Sequence, residues 1–253
     1  MNKETIYWKC AWDTFHLQVF DYEDDVKRMH AWIKKQRYGV KNILEVGCGA
    51  GRYLKLLKDS GYRCTGIDND SDILKYARKT VLKKDKNVSL IKADALQEIP
   101  VNLENKFDLV IGKHLSFPLD DLRKVLDYTR KSLNSKGPKL VVFDFLIAEA
   151  NKLEKNILSI DSAIREDLFL IRMNQMELKK VSREYRWEET YIIKEVKSDP
   201  MIKKANYRSL WFISFDELER LLRQKEIKIE GESEEVTGIN NLKGVTIYGS
   251  FQR

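Results

Sequence analysis

Cysteine, proline and glycine are all scarce in this chain, at three, four and twelve of 253 residues. So little glycine and proline excludes a collagen-like or low-complexity polymer. Cys10, Cys48 and Cys64 form no CxxC pair and are odd in number, a pattern that fits neither a disulfide framework nor a zinc site. His16, His30 and His114 lie far apart with no HExxH, so no resident metal is expected. Long hydrophobic runs are missing as well. The most apolar stretch, residues 139–148 (KLVVFDFLIA), is interrupted by Asp144 and is too short to cross a bilayer, so no membrane partner is expected. The opening MNKETIYWKC has no apolar run behind its charges and does not read as a signal peptide. A soluble, cytoplasmic, globular protein is expected.

Charge of one sign is also in short supply. Lys plus Arg is 46 against 39 for Asp plus Glu, a net charge of +7. A basic face can concentrate nucleic acid. Here both signs are interspersed, as in residues 216–226 (DELERLLRQKE), and read as a solvated surface. A nucleic-acid partner stays open without being favoured. Oligomeric state is open too, a homodimer included.

What the chain does have is rhythm. Residues 42–47 (NILEVG) read as a buried strand, followed by a helix carrying Leu54, Leu56 and Leu57. Residues 63–68 form a second strand, and 72–84 a helix with Ile73, Leu74, Ala77, Val81 and Leu82 on one face. Further strands are expected at 88–91, 107–111 and 139–146, with a helix at 120–133 before the turn Asn134–Pro138. Strands spaced by helices predict an α/β fold, a doubly wound and mostly parallel sheet. Beyond residue 147 the rhythm changes. Residues 148–167 read as helical, and 168–173, 180–196 and 203–213 as β segments rich in Tyr, Trp and Ile. A helix over 215–225 is capped by Ser214 with Glu217 three residues on, the spacing of a capping box. Strands at 227–236 and 245–251 close the chain around a turn with Gly238 and Gly244. The expected division is an N-terminal helical cover (1–41, with a helix over 22–37), a cofactor-binding α/β core (42–147), an inserted antiparallel β lid (148–213), and the last helix and closing strands of the core (214–253).

Chemistry concentrates in Glu45-Val-Gly47-Cys48-Gly49-Ala-Gly51, which follows a strand and opens a helix. Glycines there allow a sharp turn and close approach to a ligand, and the helix start offers free N–H groups. Asp68 ends the next strand 17 residues beyond Gly51, near the roughly 20 expected of a carboxylate that holds ribose hydroxyls. Such a constellation suits NAD or S-adenosylmethionine. Glu45 and the E-x-G-x-G-x-G spacing favour the latter, whose methionine ammonium is better matched by an acid than by a pyrophosphate-binding turn. Asp94, after the third strand, is an acid placed to accept from adenine's exocyclic amine.

At these residues the chain resembles the class I S-adenosylmethionine-dependent methyltransferases. LEVGCGAG (44–51), GIDND (66–70), KADAL (92–96) and FDLVIGKH (107–114) occur in the family's order. The resemblance implies a Rossmann-like fold with a seven-stranded sheet. It also implies Gly47, Gly49 and Gly51, with Cys48 in the same turn, lining the methionine moiety, and Glu45 behind them. Asp68 then meets the ribose, Asn69 the adenine side, and Asp94 with Ala95 the adenine. Residues 12–26 and 208–229 look like small-molecule members, the nearest being the sugar N,N-dimethyltransferases of macrolide biosynthesis. That likeness implies an N-terminal segment covering the cofactor through Tyr22, with Trp12 or His16 nearby. The loop Lys113–Pro118 is shorter and more charged than the Ser/Gly-rich loop of those relatives, which leaves the acceptor open.

His114 sits where such enzymes present substrate-facing residues, and its imidazole can accept a proton. A loop histidine bonded to backbone is the alternative for it. His16 caps the pocket or covers the core, His30 lies on the surface or packs, and Cys48 packs rather than attacks. Tyr185, Trp187, Tyr191, Tyr207 and Trp211 are sheet packing or, on one face, an acceptor roof, with Tyr185, Trp187 and His16 as the substrate candidates. No [DNS]PP[YFW] follows the fourth strand and no Pro-Cys loop is present, which lowers a nucleic-acid acceptor. The expected function is methyl transfer to a small-molecule nitrogen or oxygen. Alternatives are a tRNA, rRNA or protein methyltransferase and a non-catalytic cofactor-binding module.

Overall fold

The computed structural model describes residues 3–252, apart from 37–38, 84–86, 98, 197 and 238. Expectations for Arg37, Lys84, Gly238 and the side chain of Tyr207 fall outside what is described. In chain order the helices are α1 (Lys3–Val19), α2 (Tyr22–Lys35), α3 (Arg52–Asp59), α4 (Ser71–Tyr76), α5 (Leu119–Ser132) and α6 (Phe215–Gln224). The strands are β1 (Asn42–Val46), β2 (Arg63–Asp68), β3 (Val88–Lys92), β4 (Leu109–Gly112), β5 (Leu140–Ile147), β6 (Asn156–Arg165), β7 (Leu168–Lys179), β8 (Glu184–Glu195), β9 (Met201–Trp211), β10 (Ile227–Val236) and β11 (Lys243–Phe251). They fall into two compact units: Tyr22–Ala148 with Phe212–Arg253, and Met1–Asp21 with Glu149–Trp211. Among the described residues no helix is long and apolar enough to cross a membrane.

The larger unit is a seven-stranded sheet in the order β10-β11-β5-β4-β1-β2-β3. Strands β1 to β5 pair in parallel, while β11 runs antiparallel to both β5 and β10. This is the doubly wound, mostly parallel arrangement expected from the alternation of apolar strands and amphipathic helices. Period-two alternation sends Leu44 and Val46 into the core shared with α5 and α6, and Ile43 into the core shared with α2 and α3. Each helix closes its face with the residues its periodicity marks, Leu54 and Leu57 on α3 and Leu218, Leu221 and Leu222 on α6. The capping box forms as read: Glu217 N–H donates to Ser214 Oγ at 3.3 Å, and Ser214 N–H to Glu217 Oε2 at 2.9 Å. The helix expected over 72–84 is α-helical only to Tyr76 and continues as a π-helical turn over Ala77–Val81.

The smaller unit is a four-stranded antiparallel sheet, β6-β7-β8-β9. Helix α1 seats Trp8, Ala11 and Phe15 against Leu168, Leu170, Tyr191 and Ile193 of that sheet. Here one expectation is corrected: residues 148–167 do not form a helix, because β6 occupies half of them and only a single 3-10 turn, Ala150–Lys152, precedes it. Leu153, Ile157, Ile160 and Ile164 recur at helical spacing, yet β6 pairs with β7 from Asn156↔Glu177 to Arg165↔Leu168. A two-residue turn closes the hairpin, with Glu166 in the left-handed region at φ 53°. Hairpin pairing outweighs the local periodicity, and it leaves Leu158, Ile160 and Ile164 exposed on the outer face.

Candidate functional site

Strand order reverses at β1, which has β2 on one side and β4 on the other. In open α/β sheets that reversal opens a crevice at the carboxyl ends of the two flanking strands, where ligands bind. The glycine motif leaves β1 there and Lys113-His114 leaves β4 there, so the topology brings both expected features to one place. Gly47, Gly49 and Gly51 all take positive φ, at 67°, 50° and 76°. A Cβ on Gly47 would stand 2.4 Å from Leu115 Cδ2, so the turn is tight as well as left-handed. Cys48 N–H donates to Ile67 O at 2.9 Å and Gly51 N–H to Cys48 O at 2.8 Å, folding the loop back on β2 before α3 begins.

Asp68 is part of this turn. Its Oδ2 accepts the Gly49 N–H at 2.9 Å and its Oδ1 the Asp70 N–H at 2.9 Å. A carboxylate has about four lone-pair positions, so one face of Asp68 is anchored and the other can meet hydroxyl donors. Asn69 beside it is exposed. Asp94 Oδ1 accepts the Leu96 N–H at 2.9 Å, which orients the acid after β3, and Ala95 is buried behind it. Glu45 is 3% exposed, and its Oε2 has no hydrogen-bond partner. Burial, and then the neighbouring Asp68 carboxylate, raise its pKa well above the usual carboxylate range; only the Leu54 N–H opposes them. An orphaned buried carboxylate oxygen beside a left-handed glycine turn fits a ligand that supplies a cationic N–H donor. S-adenosylmethionine, with its ammonium and sulfonium, is such a ligand, so the residues present fit it.

The Cys48 side chain joins the core around α2 and α3, and its thiol pKa is raised well above normal by burial and then by Glu45 and Asp68. A neutral, packed thiol agrees with a structural side chain whose backbone shapes the turn. Cys64 is likewise pushed up to about 12 by burial, then by Glu45.

Around His114 the structure assembles a polar cluster that the sequence pattern does not announce. His114 is a non-glycine residue at φ 55°. Its backbone N–H donates to Asp144 Oδ2 at 3.0 Å, its Nδ1 lies 3.5 Å from the same oxygen, and its Nε2 is 2.8 Å from Tyr53 Oη. Tyr53 Oη also donates to Asp25 Oδ2 at 2.6 Å. Lys113, its side chain 1% exposed, donates to Asp144 Oδ1 at 2.6 Å and Thr246 Oγ1 at 2.9 Å and stands 3.3 Å from Asp25 Oδ2. Arg28 pairs with Asp25 from the helix surface. Burial would raise Asp25, but Lys113, the Tyr53 hydroxyl and Arg28 outweigh it and hold that acid below its ordinary range. Asp144 goes the other way: burial raises it despite Lys113, the His114 N–H and Thr246. Burial and then Asp25 push the Tyr53 phenol far above its normal value. Tyr22, expected near the cofactor, lies in this cluster, its ring 4.8 Å from Tyr53 and 5.9 Å from His114. The signal for the missed partners is Asp144, a charge inside the most apolar stretch, which had to find a cation or donors somewhere.

His16, Trp187 and Tyr185 belong to the smaller unit. His16 is half-buried in the last turn of α1, between Trp12 at 4.0 Å and Phe20 at 5.4 Å. Trp187 is half-buried and its Nε1–H donates to Asn174 Oδ1 at 3.2 Å. Tyr185 is enclosed at 0% exposure and its hydroxyl donates to Glu154 O at 2.7 Å, so it supports the sheet and presents no surface to an acceptor. His30 packs as read, its Nδ1 2.7 Å from Tyr62 Oη. Among the described residues no group of three His, Cys, Asp or Glu is arranged to hold a metal ion. A cavity of about 830 Å³ opens at the starts of β1, β2 and β3, lined by Asn42, Arg63 and Ser89. It lies away from the glycine turn, at the opposite end of β1, and we assign it no part in the site.

Comparison with known proteins agrees with this geometry. Residues 43–137 match the family described as "Methyltransferase domain". A curated relative, the ubiquinone biosynthesis O-methyltransferase of Erwinia tasmaniensis, is 24% identical over 127 residues, covering 47% of this chain and 52% of its own length. The chain thus spans about half the length of that relative. Among solved structures, DesVI of Streptomyces venezuelae superposes with a TM-score of 0.75 at 16% identity, over 94% of this chain and 96% of its own. CalS10 from Micromonospora echinaspora does so at 0.68 and 15% identity, over 93% and 94%. Glycine turn, strand order and family match converge on residues 43–137, which carry a methyltransferase domain, in a fold similar to that of S-adenosylmethionine-dependent methyltransferases.

Proposed function

We propose that the protein transfers the methyl group of S-adenosylmethionine to a nitrogen or oxygen nucleophile on a small molecule, by in-line displacement. The observation that carries this reading is the turn after β1, where three left-handed glycines, the Gly49–Asp68 hydrogen bond and the unpartnered Glu45 oxygen meet at the switch point. The sulfonium supplies an already activated methyl donor, so the protein has to align the reactants and exclude water. Gly47, Gly49 and Gly51 let the backbone approach the methionine portion, and Glu45 provides charge for its ammonium. Asp68 and Asn69 take the ribose and its adenine side, Asp94 and Ala95 the adenine, and Tyr22 covers the donor. His114 accepts the proton that the nucleophile sheds as its bond to carbon forms and the carbon–sulfur bond breaks.

A small acceptor is favoured by the relatives' own descriptions: CalS10 is an amino pentose methyltransferase, and the Erwinia protein acts in ubiquinone biosynthesis. Isothermal calorimetry tests the donor half. S-adenosylmethionine binding should be lost in Asp68→Ala, because the turn loses both anchors and a ribose contact; unchanged binding would overturn the reading. Turnover on a panel of amines, amino sugars and phenols tests the acceptor half, and His114→Ala should abolish it.

The same reading includes a homodimer. Strand β6 is an edge of the smaller sheet, and Leu158, Ile160 and Ile164 on its outer face are 74%, 66% and 78% exposed. Register aligns Ile171, Ile192 and the 68%-exposed Ile202 on that same face. A long apolar edge left in water is a template for pairing, and a second copy offers the matching edge under a two-fold axis. Burying such aliphatic side chains is worth about 1.5–3 kcal/mol each. The four exposed aliphatics from each of two copies would yield on the order of 10 kcal/mol, comparable with the ~4–15 kcal/mol lost on association.

A further inference from the structure

Which nitrogen of His114 takes the proton follows from counting hydrogens around it, and this step rests on the role assigned to His114 above. The Tyr53 hydroxyl has a single proton and two neighbours, Asp25 Oδ2 at 2.6 Å and His114 Nε2 at 2.8 Å. Asp25 is enclosed, faces Lys113 Nζ at 3.3 Å and is paired with Arg28. Two cations on one buried carboxyl hold it ionised, and an ionised carboxylate can only accept. The Tyr53 proton therefore lies on the Asp25 side. That leaves the Tyr53 oxygen as an acceptor towards His114, and the only hydrogen available for that contact is one on Nε2.

We propose that the Asp25–Tyr53 pair fixes neutral His114 as its Nε2–H tautomer, so that Nδ1 is the atom that accepts the proton in methyl transfer. Asp144 completes the arrangement. Its Oδ2 is anchored by the His114 backbone N–H at 3.0 Å and stands 3.5 Å from Nδ1. A carboxylate there favours a proton arriving on Nδ1 and stabilises the imidazolium that results. Lys113 and Thr246 hold Asp144 through its other oxygen, Oδ1, and so leave Oδ2 to the histidine. Tyr22 on α2, Tyr53 on α3 and Asp144 on β5 meet the ring itself, and behind them stand Asp25 and Arg28 on α2, Lys113 after β4 and Tyr248 on β11. The left-handed backbone of His114 at φ 55° sets the ring between these two partners. Tyr53, Asp25 and Asp144 are positioning residues in this scheme. The balance is simple: the nucleophile's N–H or O–H proton goes to Nδ1, its lone pair forms the new bond to carbon, and the electrons of the broken carbon–sulfur bond remain on the departing thioether. Nδ1 then passes its proton to water.

Tautomers are directly visible in long-range 1H–15N correlation spectra of the 15N-labelled full-length protein, recorded at a pH where the ring is neutral. The His114 signals are assigned by their absence in His114→Gln. The expected result is an Nε2–H pattern for His114 in the wild type and a shift towards mixed or Nδ1–H tautomers in Tyr53→Phe, which removes the hydroxyl but keeps the ring. An Nδ1–H pattern in the wild type would overturn the proposal, as would a Tyr53→Phe spectrum identical to it. Turnover enters neither outcome. A His114→Ala enzyme that still methylates would sink the role of His114 as base and leave the tautomer result standing.

Discussion

Lys113 is the keystone of the charge cluster, and removing its charge gives the sharpest test of how that cluster is held. Replacement by Met keeps the length of the stem and deletes the ammonium that donates to Asp144 Oδ1 at 2.6 Å and faces Asp25 Oδ2 at 3.3 Å. Asp25 keeps Arg28 and the Tyr53 hydroxyl, and Asp144 keeps Thr246 and the His114 N–H. Both carboxylates lose their shared cation in an environment where Lys113 is 1% exposed. Breaking a buried pair by removing one partner costs about 3–5 kcal/mol. At roughly 2–4 °C per kcal/mol for a chain of this size, Lys113→Met should lower Tm by about 6–20 °C near pH 7.5. The pH dependence carries the sign. Asp144 already has a raised pKa, so between its unfolded and folded values the native state binds the extra proton, and its contribution to stability rises as pH falls. Without Lys113 that window widens, and acidification to pH 5 should narrow the deficit. In the wild type Asp25 runs the opposite way. Its pKa is depressed below 3.8, so its stabilisation is present above that value and lost only as pH falls further, through its folded pKa. Adding Asp144→Asn to Lys113→Met should recover part of the loss, since a neutral pair no longer needs a counter-charge. Calorimetric scans at pH 5, 6.5 and 8 decide the matter. A deficit under about 1 kcal/mol, or one that ignores pH, would refute the cluster as an electrostatic unit.

Three further outcomes follow from the site and the surface. Glu45→Gln should raise the Tm of the cofactor-free protein, because the native state no longer holds a buried charge whose pKa burial has raised, and should weaken S-adenosylmethionine binding in calorimetry. Gain in both, or loss of stability with binding intact, would contradict the assignment of Glu45 to the ammonium. Gly47→Ala places an L side chain at φ 67° with its Cβ 2.4 Å from Leu115 Cδ2. Left-handed backbone costs about 1–2 kcal/mol, and a tenfold or larger fall in cofactor affinity should accompany a drop of that size in chemical denaturation. Ile160→Asp, on a side chain 66% exposed at the β6 edge, should convert a sedimenting dimer to monomer without loss of helicity; a wild type that sediments as a monomer at micromolar concentration would dispose of the dimer.

What could be read from the chain divides according to whether the backbone or the tertiary fold dictates it. The turn Gly47–Gly51 was legible because its requirement is local: left-handed φ at three positions after a strand needs glycine at those positions, whatever surrounds them. Strands β1, β4 and β5 were legible because burial on both faces makes them nearly continuous apolar runs. Strand β6 was not, since Leu153, Ile157, Ile160 and Ile164 satisfy a helical period, and only pairing with β7 decides otherwise.

The polar cluster failed to appear in the sequence for a different reason. Asp25, Tyr53, Lys113, Asp144 and Thr246 come from four elements and the loop after β4, spread over more than two hundred residues, and no spacing rule links them. Asp25 reads as one of three acids in the first turn of α2, where any of them suits the helix dipole. Only Asp144 carried a warning, because a charge within LVVFDFLI of β5 must be neutralised where it is buried. The cation that meets it is the residue immediately before His114, and that adjacency joins stability to chemistry. The side chain of Lys113 turns inward to Asp144 Oδ1, while the next residue's N–H and ring engage Oδ2 of the same carboxylate. A substitution that frees Asp144 therefore cannot leave His114 where it is. Stability of the cluster and orientation of the proposed base should fail together in Lys113→Met, whereas Tyr53→Phe should disturb the tautomer while leaving the Lys113–Asp144 pair intact.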